Sequence, residues 1–137
     1  MNSPHQSIVD NFFKAYQAHD MNKVKEVMDE NAKWIFMGRH PLAGIKNGVD
    51  EIVAFFDKMG KIMARGKPTI DKLIVSENEN YLIECIHSAT NSSDGINLDH
   101  HACVLWTFKN WKIIEGRHFF ADPEAADKYF TEVSKKF

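Results

Sequence analysis

The chain has 137 residues, the length of one domain spanning 1–137, and it can bury a core without a metal or a disulfide. Charged residues make up 26% and the net charge is -2 with histidines neutral, so we expect no nucleic-acid partner. The apolar runs are too short for a membrane span and no signal peptide is expected, which favours a cytoplasmic protein.

The first third of the sequence predicts two helices, a strand and a loop. A helix begins near Pro4 with a capping-box pattern and ends near His19, and Asp20 can cap a second, shorter helix. Residues 32–37 are β-prone, whereas residues 38–48 hold three glycines and a proline and are predicted to form a loop.

The remaining two thirds are predicted to be mostly sheet. A third helix begins at Asp50 and a last helix begins at Asp122. Between them we expect four strands, over residues 69–75, 81–90, 97–108 and 111–120. The predicted order is α-α-β-α-β-β-β-β-α, which indicates an α+β protein with helices packed on one face of a curved antiparallel sheet.

The last two strands supply the candidate catalytic residues. If Lys109 and Asn110 form a two-residue turn, His101 lies opposite His118 and Asp99 shares their face. Two opposed imidazoles suit acid–base chemistry near neutral pH, and Asp99 could orient one of them. A longer loop or a bulge would send His118 to the opposite face, and that alternative stays open.

The other face of this hairpin is also mostly apolar. It carries Ala102, Val104 and Trp106 on one strand and Ile113 and Phe119 on the next. A sheet that is apolar on both faces is usually covered on both. We therefore expect helices on one face and a second copy of the chain on the other, giving a homodimer; the C-terminal helix is the alternative cover.

Several segments together resemble a known family. They are Trp34, the residues 41–44 with Gly48, the pair Phe55–Phe56 and the closing run 112–122. The chain resembles the nuclear-transport-factor-2-like superfamily, and within it the SnoaL-like and ketosteroid-isomerase-related proteins. The resemblance implies a cone-shaped sheet with helices on its concave face, a ligand pocket inside and dimers through the sheet. Together with the hairpin face, it predicts a pocket wall of Phe12, Tyr16, Trp34, Phe36, Phe56, Cys103, Leu105, Ile114, Gly116 and Phe120.

The catalytic residues of ketosteroid isomerase are replaced in this chain. The similar positions hold Phe12, Phe36 and Cys103, none of which can do the original chemistry. SnoaL-like cyclases are similar in using a His and an Asp, so the resemblance assigns those roles to His101 or His118 with Asp99 or Asp122.

The predicted function is therefore a cofactor-independent isomerase, cyclase or dehydratase acting on a small carbonyl or polyketide-like compound. A non-catalytic protein that binds a small apolar ligand is the alternative, and an interaction module with a vestigial pocket is a third. The sequence has no nucleotide-binding or metal-binding motif, so no cofactor and no metal are expected.

The remaining histidines and the cysteines receive other predictions. His100 is expected at the surface and His87 in the core, while His40 lies in the loop that could close the pocket mouth. Cys85 and Cys103 are expected to be reduced, buried thiols.

Overall fold

The computed structural model describes residues 4–137 and contains four helices and six strands. The helices are α1 (Pro4–Gln17), α2 (Met21–Val27), α3 (Gly48–Met63) and α4 (Pro123–Ser134). The strands are β1 (Met28–Phe36), β2 (Gly44–Asn47), β3 (Thr69–Glu77), β4 (Tyr81–Ala89), β5 (Asp99–Lys109) and β6 (Lys112–Phe120). The α+β prediction is confirmed. Within the described residues, no helix is both long and apolar enough to cross a membrane.

The six strands form one curved, unclosed sheet in the order β2-β1-β6-β5-β4-β3. It is mixed rather than wholly antiparallel, because β1 runs parallel to β6 and places Trp34 beside Gly116. No hairpin joins these two strands, so chain connectivity does not impose an antiparallel direction. The predicted loop over residues 38–48 ends in an unexpected strand, since Gly44–Asn47 pairs with β1 as an edge.

The two short-range signals for helix starts are confirmed. Asp20 accepts a hydrogen bond from the backbone N–H of Lys23 at 3.2 Å at the start of α2. Asp122 accepts one from Ala125 at 3.1 Å, with Pro123 at the first position of α4. Each side chain satisfies a backbone donor that the helix itself cannot pair.

The hydrophobic core lies between the helices and the concave face of the sheet. Phe12 of α1 and Ile52 of α3 are fully buried against it, as is Trp106 of β5. Burying one such side chain stabilises the fold by roughly 1.5–3 kcal/mol. The amphipathic spacing of α1 and α3 therefore produces the layer that the sequence predicted.

The predicted register of the last hairpin is wrong. The turn residues are Asn110 and Trp111, with φ of 53° and 62°, and Lys109 pairs with Lys112. A turn of this kind needs positive φ at both central positions, which Asn tolerates better than Lys. Ile114 is then an extra residue, because Phe108 pairs with Ile113 and Thr107 with Glu115. This is the bulge that the sequence analysis left open.

The corrected register keeps His118 on the inner face of the hairpin but places the other set of β5 side chains beside it. Val104 pairs with His118, so both lie on the concave face with Trp106. Val104, Trp106 and Ile113, expected to meet a second copy, are thus in the core that this chain's own helices cover. Phe119, expected on the same face, lies on the outer face and is 39% exposed. Leu105, expected inside the pocket, pairs with Arg117 on the outer face instead. The homodimer itself stays a prediction.

Candidate functional site

An aromatic wall occupies the concave side of the sheet. Phe12, Trp34 and Phe36 are buried in the core, and Phe56 and Phe120 pack against it. The ring centroids of Trp34 and Phe56 are 5.0 Å apart, and those of Phe36 and Phe120 are 5.5 Å apart. The structure thus brings together seven of the residues predicted to line a pocket: Phe12, Tyr16, Trp34, Phe36, Phe56, Gly116 and Phe120.

The other three predicted wall residues lie elsewhere. Cys103 and Leu105 are on the outer face of β5, and Ile114 occupies the bulge in β6. All three follow from the register error, because a shift of an odd number of residues moves each side chain to the opposite face.

Two imidazoles contact the ring of Phe120 on the concave side. The His118 ring stacks on Phe120 at 4.6 Å with an interplanar angle of 25°, and the His100 ring lies 5.5 Å from Phe120. His118 also meets the Phe36 ring edge at 5.3 Å. The interior partner of His118 is therefore His100, which was expected at the surface, and not His101.

Burial keeps the ring of His118 uncharged. Burial, together with a smaller effect of the neighbouring His100, lowers its pKa to about 4. Its Nε2 atom is buried and has no hydrogen-bond partner in the described part of the chain. A buried polar atom without a partner is uncommon in native proteins and calls for an explanation.

His100 is also neutral and is held in one orientation. Burial lowers its pKa, whereas a hydrogen bond to the backbone of Ser88 raises it. Because that bond favours the protonated ring, the ring is its donor. Nδ1 is buried and finds no partner within residues 4–137, so it presents a free lone pair in the neutral ring.

His40 is the third imidazole of this cluster. Its ring lies 5.5 Å from Phe36 and 4.8 Å from Phe130, and its Nδ1 accepts a hydrogen bond from the backbone N–H of Leu42 at 3.2 Å. Burial lowers its pKa, and the nearby Asp127 acts in the opposite direction. Nε2, which then carries the proton of the neutral ring, is buried without a partner among the residues described.

A cavity of about 320 Å³ lies next to this cluster. Its lining comprises Met37, Gly38, Arg39, Phe119, Phe120, Pro123 and Asp127. Asp127 accepts a hydrogen bond from the backbone N–H of Arg39 at 2.8 Å, which ties α4 to the loop after β1. Phe120 thus contacts both imidazoles and lines the cavity.

The structure separates His101 and Asp99 from His118. Both are exposed on the outer face, where Asp99 Oδ1 lies 2.5 Å from Nε2 of His87 and the His101 ring lies 5.0 Å from the His87 ring. The bond to Asp99 is the main reason that the pKa of His87 is raised. Asp99 therefore pairs with His87 and not with His101. Over the described residues, no group of three or more His, Cys, Asp or Glu side chains is arranged to hold a metal ion.

Tyr16 is held at the edge of the aromatic wall. Its hydroxyl donates a hydrogen bond to Asp57 Oδ1 at 2.7 Å, and its ring lies 5.9 Å from Phe56. Burial and Asp57 together raise the pKa of Tyr16 to about 12, so the phenol stays protonated at neutral pH.

Comparison with known proteins then identifies the family. A family model described as "SnoaL-like domain" matches residues 9–116. The chain belongs to this SnoaL-like family. The resemblance stated from the sequence is thereby confirmed.

The chain is also similar to individual proteins and solved structures. The uncharacterized protein Rv0034 of Mycobacterium tuberculosis is 25% identical over 118 residues, which cover 86% of this chain and 89% of that protein. The solved structure of Bal32a, from a soil-derived mobile gene cassette, is 29% identical with a TM-score of 0.76, covering 93% of this chain and 96% of Bal32a. A protein from Jannaschia sp. CCS1, assigned provisionally as a SnoaL-like polyketide cyclase, is 17% identical with a TM-score of 0.64, covering 93% and 92%.

Sequence reasoning missed His100 and underrated His40. Asn110 was a signal for the true turn, since Asn is preferred at the first central position of a tight hairpin turn. That turn shifts the pairing by an even number of residues, so only the extra residue Ile114, which no sequence signal marked, brings His118 onto the face that carries His100. His40 carried no comparable signal, because only the packing of α4 and β1 against its loop buries the ring.

Proposed function

We propose that the protein is a cofactor-independent enzyme of the isomerase or cyclase type, acting on a small apolar carbonyl or polyketide-like compound. His118 and His100 are its acid–base pair, in place of the His118–His101 pair expected from the sequence. The observation that carries the proposal is the pair of buried, unpartnered nitrogens, His118 Nε2 and His100 Nδ1, in two rings that both contact Phe120.

His100 is the proton acceptor in this proposal. Its bond to Ser88 uses one nitrogen as a donor and leaves the lone pair of Nδ1 free. Proton abstraction beside a carbonyl would place that proton on Nδ1 and negative charge on the substrate oxygen. The abstracted proton can return to another carbon, giving isomerisation, or the carbanion can attack a second carbonyl, giving cyclisation.

His118 is the hydrogen-bond donor to the developing oxyanion. A neutral imidazole that carries its proton on Nε2 can donate to an enolate oxygen without itself being charged. The low pKa of His118 suits this role, because the ring does not enter the reaction as an imidazolium. The surrounding aromatic rings exclude water and strengthen such a bond.

The substrate would enter through the cavity of about 320 Å³. That volume suits a small ligand. Phe120 lines the cavity and contacts both imidazoles, so a rotation of its side chain would give a ligand in the cavity access to them. The apolar wall favours a substrate with few polar groups besides its carbonyl oxygens.

Binding without catalysis is the second candidate, and one observation favours it. Burial lowers the pKa of His100, the proposed proton acceptor, whereas an effective general base has a pKa near the working pH. In that case the imidazoles would only hydrogen-bond an apolar ligand.

Hydrogen–deuterium exchange into cyclohexanone and cyclopentanone tests the proposal. Both ketones carry α-protons, and their loss in D₂O is followed by ¹H NMR with and without protein. We expect protein-dependent exchange that falls at least about tenfold in His100→Gln and in His118→Gln. His101→Gln is the matched control, because it removes an imidazole from the outer face and should leave exchange unchanged.

Two outcomes would reject catalysis. Exchange no faster than in buffer, while the ketones still shift the His118 NMR signals, would leave a binding protein. Equal losses in His101→Gln and His100→Gln would show that the exchange does not arise in the concave cluster.

A further inference from the structure

The two cysteines meet on the outer face of the sheet, away from the proposed site. Cys85 of β4 pairs directly with Cys103 of β5 in the antiparallel register. Their sulfur atoms are 3.2 Å apart, with Cys103 Sγ placed to donate to Cys85 Sγ. Both residues are free thiols and partly exposed. The sequence predicted reduced, buried thiols and did not predict that they touch.

The geometry points to a reversible dithiol–disulfide site formed by Cys85 and Cys103, which exchanges with small-molecule disulfides in solution. A disulfide needs the two sulfur atoms about 2 Å apart, so a further approach of about 1 Å is required. Directly paired strands already hold the two Cβ atoms about 4.5–5.5 Å apart, which leaves only a small backbone adjustment.

The surroundings leave room for that adjustment. The β3–β4 pairing has an irregularity between Lys72 and Ile74, and Ile74 pairs with Cys85. β3 is the exposed edge strand, and Ile74 itself is 62% exposed. Neither cysteine belongs to the hydrophobic core of the described chain, and both are partly exposed.

The exchange proceeds in two balanced steps. The Cys85 thiolate attacks one sulfur of a small disulfide, forming a mixed disulfide and releasing one thiolate, which takes a proton from water. Cys103 then loses its proton to solvent and attacks the Cys85 sulfur, which releases the second small thiol. The protein loses two hydrogen atoms, and the small disulfide is reduced to two thiols.

Cys85 is the attacking sulfur because Cys103 donates its proton toward it. Burial, and then the contact with Cys85, raises the pKa of the Cys103 thiol, so Cys103 reacts second. The histidine pair His87 and His101 lies two residues further along the same face and leaves this surface polar.

Oxidised glutathione is the probe for this site. The native protein is incubated with it, remaining thiols are alkylated, and the mass is measured. We expect a species two hydrogens lighter than the reduced protein, with no alkylated cysteine and no bound glutathione. Cleavage before Asp94 and Asp99 separates the cysteines in sequence, so their peptides stay joined only through the disulfide.

Cys103→Ser provides the second arm. This variant should accumulate glutathione on Cys85, because no second thiol resolves the mixed disulfide. Circular dichroism verifies that it is folded, and if it is not, the wild-type result alone decides. Two intact thiols in the native wild type, stable glutathione adducts on it, or only disulfides between chains would each overturn the proposal. The ketone exchange above is measured on reduced protein, so either proposal can fail alone.

Discussion

Histidine and aromatic side chains have opposite environments on the two faces of the sheet. On the concave face burial lowers the pKa of His118 to about 4, whereas on the outer face Asp99 raises the pKa of His87. Trp106 is 1% exposed on the concave face, and Phe119 is 39% exposed on the outer face. Desolvation controls the first face and charge partners control the second.

Mutations on the two faces should therefore have different consequences. The concave face holds the aromatic core and the unpartnered imidazoles, so changes there should alter folding and ligand chemistry together. The outer face holds an exposed ion pair and the Cys85–Cys103 pair, so changes there should alter titration or oxidation and leave folding nearly intact.

The largest difference in stability should come from truncating one phenylalanine on each side of the sheet. Phe12→Ala empties a fully buried site and should lower the free energy of unfolding by about 3–5 kcal/mol. Phe119→Ala, the matched outer-face change, should cost less than about 1 kcal/mol. Urea unfolding followed by tryptophan fluorescence measures both. Similar losses at the two sites would contradict the assignment of the faces.

The buried imidazole should make stability depend on pH. Above pH 6.5, the ordinary pKa of histidine, the His118 ring is neutral in both the folded and the unfolded protein. Between pH 6.5 and about pH 4, only the unfolded chain takes up a proton at this ring. Stability therefore falls as the pH drops through this window, by roughly 3 kcal/mol from this group, and the loss ends below about pH 4.

His118→Leu should remove that part of the pH dependence. His101→Leu is the control, because its imidazole is exposed on the outer face and should leave the profile unchanged. Urea midpoints from pH 7.5 to 4 measure both variants. Parallel profiles for wild type and His118→Leu would show that His118 titrates normally.

Two glycines offer a matched pair of smaller effects. A Cβ on Gly116 would lie 2.1 Å from Cζ3 of Trp34, so Gly116→Ala should cost about 1–3 kcal/mol. Gly60 in α3 has nothing within 4 Å of such an atom, and Gly60→Ala should stabilise the helix by about 0.5–1 kcal/mol. Thermal unfolding of the two variants should shift the midpoint in opposite directions.

The smallest effect concerns the exposed ion pair. Asp99→Asn removes the main cause of the raised pKa of His87, so the pKa of that ring should fall toward its ordinary value in an NMR titration. The raised pKa of His87 contributes stability that is fully present at a pH below the pKa of this ring in the unfolded chain. That contribution is lost as the pH rises through the pKa of the ring in the folded protein. Because the pair is exposed, the urea midpoint should hardly change. Asp71→Asn, a weaker partner at 3.8 Å, should shift the pKa less.

The sequence predicted structure correctly where a residue type has a single role in local structure. Asp20 and Asp122 marked helix starts, and the spacing of apolar residues in α1 and α3 predicted the buried side of each helix. The concave position of Phe12, Trp34 and Phe36 followed from the family resemblance and is what the structure has. The edge strand Gly44–Asn47 was missed because its residues look like a loop.

The sequence by itself determined the α+β class, the helix starts and the aromatic character of the interior, because these follow from local spacing and side-chain size. Only the tertiary structure decided which histidines meet. One turn position and one bulge separate the predicted pair His118–His101 from the observed pair His118–His100. Since side chains alternate along a strand, such a small change in register moves a whole candidate site from one face to the other.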